Sequence, residues 1–256
     1  MADCCSSGTC TGHIPLEKII AECDRLFNLE KKEALGEHLR FWRRHAVELG
    51  DKKGELSLLS EMMGHYRMVR DKARGLAAVR DGFALIETLG IADSVSAGTI
   101  FINGATALQS FGDCEEALRV YQQAEQCYQK TLPPRDERFA PLYNNMASSC
   151  IDAGLFEQAE KYYLQAVEIL QISRNLMDLA VTYVNLAQLR DALSPEDEQI
   201  EKYLDLAMAC FEDKTLSHDG YYAHTCRKCA SAFGYFGRFM DEEFLQKKAD
   251  DFYAGN

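Results

Sequence analysis

The stretch from Asn144 to Leu170, NNMASSCIDAGLFEQAEKYYLQAVEIL, recurs in outline along the chain. Internal periodicity constrains a fold more than any local pattern, because equivalent residues must find equivalent surroundings. With Ala147 as anchor, Gly154 follows, then Ala159, the aromatic Tyr163, and the small residue Ala166. The grid repeats at Ala105 (Gly112, Ala117, Tyr121, Ala124) and at Ala230 (Gly237, Ala249). It also pairs Ala187 with Ala207 and Met63 with Gly82. The anchors 63, 105, 147, 187 and 230 are separated by 42, 42, 40 and 43 residues.

Each unit reads as two antiparallel helices. Alanine and glycine mark places where helices approach closely, and Tyr, Phe and Leu at i, i+3 and i+4 offsets fill the spaces between them. The glycine seven residues after an anchor supplies the left-handed cap that ends the first helix. One such pair cannot bury its apolar face alone, so pairs stack. Most of the five prolines fall at helix boundaries, and Ser194-Pro195 before Asp197 reads as a helix start.

Tyr143, Met146, Ala147, Gly154, Phe156, Ala159, Tyr163 and Ala166 together resemble the tetratricopeptide repeat. The longer period, with turns such as Leu49-Gly50-Asp51, is similar to the kinesin-light-chain class of these repeats. The resemblance implies an all-α, right-handed solenoid of about six antiparallel helix pairs. It covers repeats at about 54–90, 96–131, 138–172, 178–213 and 219–253, with a degenerate pair at 15–49. Cys23 takes the anchor slot of that pair when it is aligned on Trp42. The expected organisation is one repeat domain, 14–256, after a disordered cysteine-rich tail, 1–13.

The formal net charge of −12 argues against nucleic acid, which needs a basic footprint. Arg40, Arg43 and Arg44 form a local basic cluster that reads as a solvated helix face. No apolar run reaches the length of a membrane span, and the start MADCCSSGTC lacks a secretory pattern. A cytoplasmic location is expected, with reduced thiols.

Seven of the ten cysteines fall on packing slots of the grid: Cys23, Cys114, Cys127, Cys150, Cys210, Cys226 and Cys229. They read as small buried hydrophobes. Cys226-x-x-Cys229 after His224 is the alternative, since that spacing suits metal or redox chemistry. A redox pair opens a helix, however, and this one lies within a helix that begins near Asp219. Cys4, Cys5, Cys10 and His13 belong to the far end of the array. Phosphate-loop, nucleophile-elbow and zinc-protease motifs are absent from the sequence. The expectation is a non-enzyme with no catalytic residues, no metal and no cofactor.

The residues two before each anchor are Glu61, Asn103, Asn145, Asn185 and Lys228, on helices expected to line a concave groove. Asparagine is a poor helix former, and its amide can pair with both groups of a peptide bond. One reading is a ladder of Asn103, Asn145 and Asn185 that holds a peptide backbone, as the resemblance to kinesin-light-chain repeats implies. The other is a set of amides that pin neighbouring helices in register. Arg67, Asn144 and Gln188 flank the slot, and Arg227 with Lys228 could hold an acidic group. The expected function is a scaffold or adaptor that binds an extended peptide of a protein partner. The rivals are a peptide-sensing regulator, like the bacterial repeat family that binds signalling peptides, and a metal- or redox-handling protein. A separate N-terminal domain of the kind such regulators carry is not expected in the stretch before residue 15.

Overall fold

The computed structural model describes residues 12–254. Those residues form twelve helices and no strands. They are α1 (Leu16–Asn28), α2 (Lys32–Leu49), α3 (Lys52–Met68), α4 (Lys72–Leu89), α5 (Val95–Ser110), α6 (Cys114–Thr131), α7 (Phe139–Asp152), α8 (Phe156–Ser173), α9 (Leu176–Leu193), α10 (Gln199–Phe211), α11 (Gly220–Tyr235) and α12 (Phe239–Ala254). Consecutive helices pack as pairs, α1 with α2 through to α11 with α12, in an all-α solenoid architecture. The chain divides into two compact units, one ending at Leu132 and one beginning at Pro133, each with three pairs. The tail cysteines Cys4, Cys5 and Cys10 lie outside the described residues.

The anchors are where helices meet. Ala105, Ala124, Ala147, Ala166, Ala187 and Ala207 are all fully buried, as is Met63. Met63 is a large residue in a small-residue slot, and its partner compensates. A Cβ added to Gly82 would lie 2.7 Å from Met63 Cε, so the glycine makes the room the methionine takes.

The left-handed turn seven residues after an anchor recurs in five of the six pairs. Gly112, Gly154 and Gly237 have φ of 91°, 74° and 76°. Glu30 and Arg70 adopt the same conformation at 53° and 58° without being glycine. In all five turns the next residue's N–H donates to the carbonyl five positions back: Lys31 to Leu26, Asp71 to Tyr66, Asp113 to Leu108, Leu155 to Cys150 and Arg238 to Phe233. That bond satisfies a carbonyl the helix end would otherwise leave unpaired. The fourth repeat differs. Ser194 is extended at φ −158° and closes α9, whereas α10 begins at Gln199, so Ser194-Pro195 is a turn and not the helix start read from the sequence.

Several helix starts carry side-chain caps. Asp71, Ser94 and Asn175 each accept from the N–H three residues on. Asp51 does more. It caps α3 through Gly54 and also accepts from the Ile14 N–H at 3.0 Å, which ties the segment before α1 to the α2–α3 turn. Burial opposes charge on Asp51, but those two N–H bonds and His13 hold its carboxyl below the ordinary value.

Candidate functional site

In the second unit, α7, α9 and α11 pack side by side, and the first helix of each pair shows a polar face. Asn144, Asn145 and Ser148 of α7, Asp178, Asn185 and Gln188 of α9, and Lys228 of α11 line a cleft of about 450 Å³. Val181 and Ile151 supply apolar wall, and the buried Tyr163 of α8 backs it. Five of the eight residues singled out from the sequence therefore meet here.

Two adjacent asparagines have opposite roles. Asn144 bonds across to α9: its Nδ2 donates to Thr182 Oγ1 at 2.9 Å, and the Thr182 hydroxyl lies 3.1 Å from Asn144 Oδ1. Thr182 is fully buried, so this contact pins α7 against α9. Asn145 lies next to it on α7 and faces the cleft. Among the described residues its amide has no hydrogen-bond partner, nor do those of Asn185 and Gln188. The pinning role thus falls to Asn144 and the free donor–acceptor groups to Asn145 and Asn185. The sequence put Asn145 in the ladder and Asn144 beside it, and left open whether the ladder amides bind a ligand or pin the helices.

The α9–α11 wall is tied by two further bonds. Tyr221 donates to Asp178, whose other oxygen accepts from Asn175 at 2.8 Å. Tyr235 donates to Asp191 at 2.8 Å. Both tyrosines are exposed rings whose hydroxyls bridge neighbouring pairs.

Lys228 and Arg227 do not act together. Successive helix positions point about 100° apart. Lys228 faces the cleft without a carboxylate partner among the described residues. Arg227 turns to α12, where it pairs with Asp250 at 3.3 Å and lies over the Tyr253 ring at 4.1 Å.

The first unit holds the remaining candidates. Asn103 of α5 donates to Ser60 of α3 at 2.8 Å, the register contact between neighbouring pairs. Arg67 is exposed near the end of α3 and makes no ion pair among the described residues. Glu61 occupies the slot two before its anchor. It reaches solvent but is crowded by protein, and that desolvation, with Asp24 nearby, raises its carboxyl above the ordinary value.

The thiols are packed rather than poised. Cys226 and Cys229 are buried well inside α11, and burial pushes them up to about 11 and about 12. Burial likewise raises Cys23, Cys150 and Cys210 to about 11. A raised thiol is a poor nucleophile and a poor metal ligand at neutral pH. No group of three or more His, Cys, Asp or Glu side chains that could hold a metal ion occurs among the described residues. No helix among them is long and apolar enough to cross a membrane.

No protein-family model and no curated protein matches the sequence. Solved structures do match the fold. The TPR-like repeats of a putative kinesin light chain from Podosopora anserina are 17% identical with a TM-score of 0.57, covering 78% of this chain and 95% of that one. BtubC (BKLC) from P. vanneervenii is 19% identical with a TM-score of 0.55, covering 95% and 92%. Aspartyl phosphate phosphatase F from Bacillus subtilis is 11% identical with a TM-score of 0.57, covering 94% of this chain and 61% of that one. At these identities the likeness is one of architecture, and it agrees with the repeat grid, the buried small anchors and the recurring left-handed turns: the fold of this chain is that of a tetratricopeptide-type repeat protein.

Proposed function

We propose that this chain is a protein-interaction module that holds an extended peptide backbone in the cleft between α7, α9 and α11, and that it carries no chemistry of its own. The observation that supports this most is the pair of unpartnered amides, Asn145 and Asn185, equivalent by repeat position and brought to one cleft. Each carries a donor and an acceptor, the complement of a peptide N–H and C=O. Gln188 adds a third such group, and Lys228 favours an acidic residue at one end of the ligand. The wall is fixed beforehand by the Asn144–Thr182 and Tyr221–Asp178 bonds, so little ordering is needed on binding. An acidic chain suits a protein partner better than nucleic acid. The seven unbridged thiols among the described residues fit a reducing compartment such as the cytoplasm.

The test uses partner peptides recovered by pull-down and mapped by mass spectrometry. Asn145→Ala and Asn185→Ala should each weaken their binding by about 0.5–1.5 kcal/mol, the net value of an ordinary hydrogen bond. The loss should be similar for peptides of different sequence, because the contact is to backbone. Unchanged affinity in both variants overturns the assignment.

A further inference from the structure

The first unit carries a second cleft that the reading above does not use. It has a volume of about 650 Å³ and lies between α2, α3 and α4, lined by Arg40, Arg43, Arg44, Met62, Tyr66 and Arg74. The helices that frame it on two sides, α2 and α4, are the second members of their pairs. A chain with a net charge of −12 thus gathers four arginines around one cavity.

Two of the four are neutralised. Arg43 bridges Glu55 at 3.3 Å and Asp81 at 2.7 Å, and Arg74 pairs with Asp71 at 3.2 Å. Burial opposes charge on Asp81, yet hydrogen bonds from Arg80 and Arg43 keep its carboxyl below the ordinary value, so the pair with Arg43 stays ionised. Arg40 and Arg44 have no carboxylate partner among the described residues. The one acid on the rim, Glu48, lies 3.1 Å from His45 and makes no ion pair with either arginine. Arg40 and Arg44 stand one helical turn apart on α2, with Cβ atoms about 5–6 Å apart at this spacing.

The surroundings make room for the Arg40 guanidinium. Gly36 lies one turn before Arg40. A Cβ there would sit 3.1 Å from Arg40 Nη1 and 2.6 Å from His65 Nε2, so its absence admits both groups. His65 is buried, and its burial and the nearby Arg40 push its pKa below the ordinary value. Its neutral form is favoured, so it adds no second cation beside Arg40. The floor is apolar: Met62, Tyr66 and Ala78 are buried beneath the cavity.

We propose that this cleft docks a phosphorylated peptide segment of a partner protein. Arg40 and Arg44 hold the phosphoryl group, and the floor of Met62, Tyr66 and Ala78 takes a neighbouring apolar side chain. Two guanidinium groups without a carboxylate partner match a phosphoryl group of about −1.5 to −2 and can fork onto its oxygens, whereas one carboxylate leaves a guanidinium unmatched. From Arg40 to Glu48, α2 runs about 12 Å at its rise of 1.5 Å per residue. An extended segment of about four residues spans that length.

The experiment passes a degenerate decapeptide library over the immobilised full chain, in an Asn145→Ala/Asn185→Ala/Lys228→Gln background that silences the other cleft, in three arms with phosphoserine, glutamate or serine at the central position. The phosphoserine arm should be retained, enriched in an apolar residue beside the phosphoserine, and eluted by salt. Arg44→Gln, on an exposed side chain, and Arg40→Gln should each reduce retention at least tenfold with helical circular dichroism intact. Arg44→Lys should restore part of it, and Lys202→Gln, on an exposed side chain of α10 outside both clefts, should leave it unchanged. Equal retention of the glutamate arm makes this a general acidic-peptide site and overturns the phosphoryl assignment. Equal retention of the serine arm, or retention that survives the Arg40→Gln/Arg44→Gln double variant, overturns the proposal altogether.

Discussion

The Met63–Gly82 pair offers a sharp test of the close-approach reading, because it predicts a change of sign. Alanine in place of a glycine within a helix normally stabilises by about 1 kcal/mol. At Gly82, in α4, the new Cβ would lie 2.7 Å from Met63 Cε, 3.9 Å from Leu59 Cβ and 4.0 Å from Ile100 Cγ2. Only the methionine contact is too short, and Met63 has no exposed surface into which to retreat. Overpacking of this kind costs about 1–3 kcal/mol, so Gly82→Ala alone should be neutral to destabilising by about 2 kcal/mol. Met63→Ala alone should cost about 2–5 kcal/mol through the cavity it leaves. In the Met63→Ala background the clash is gone, and Gly82→Ala should then stabilise by about 1 kcal/mol. The double variant recreates the small–small pair found at Ala105–Ala124 and Ala147–Ala166. Urea denaturation followed by circular dichroism at 222 nm on all four proteins closes the cycle. Independent sites add to within about 0.3–0.5 kcal/mol. If Gly82→Ala has the same effect in both backgrounds to that margin, the two residues do not share one space and the anchor reading fails.

Arg70→Gly and Glu30→Gly should each raise stability by up to about 1 kcal/mol, since both residues hold a left-handed conformation that costs an L side chain about 1–2 kcal/mol; Gly154→Ala, at φ 74°, should move the midpoint the other way. Asn144→Ala should lower the melting temperature, because it strips the buried Thr182 of one partner at about 1 kcal/mol, whereas Asn145→Ala should leave it within experimental error. The buried thiols predict alkaline sensitivity. Their folded values lie above the ordinary 9.0, so the protonated form is favoured in the native state, and their contribution is fully present below pH 9. It is lost as pH rises from 9 through about 11 to 12. Melting curves of the wild type should fall more steeply over that range than those of a Cys226→Ala/Cys229→Ala variant, and equal slopes would contradict the burial argument. Iodoacetamide at pH 8 should label neither thiol in the folded protein and both in guanidinium.

The sequence by itself determined the pairing of helices, the slots where they touch and the turns that end them. These are properties of neighbours along the chain: a small residue every 40 or so positions, an aromatic at a helical offset, and a left-handed residue seven after the anchor. Glu30 and Arg70 take the same left-handed turn at the equivalent position, which the sequence reading, resting on glycine, did not name. That reading misplaced the start of α10, because Ser-Pro before an acid serves a turn as well as a helix cap, and local chemistry does not choose between them. What only the tertiary structure decided is which polar side chains are left unpartnered. Asn144 and Asn145 are identical and adjacent, and one bonds Thr182 while the other faces a cleft, because about 100° of rotation separates them relative to a helix 38 residues away. Arg227 and Lys228 part company for the same reason. Arg40, Arg43 and Arg44 read as a solvated face until α3 and α4 close a cavity against them. Whether a side chain is free depends on what a distant helix brings to meet it, and that information is not local to any stretch of the chain.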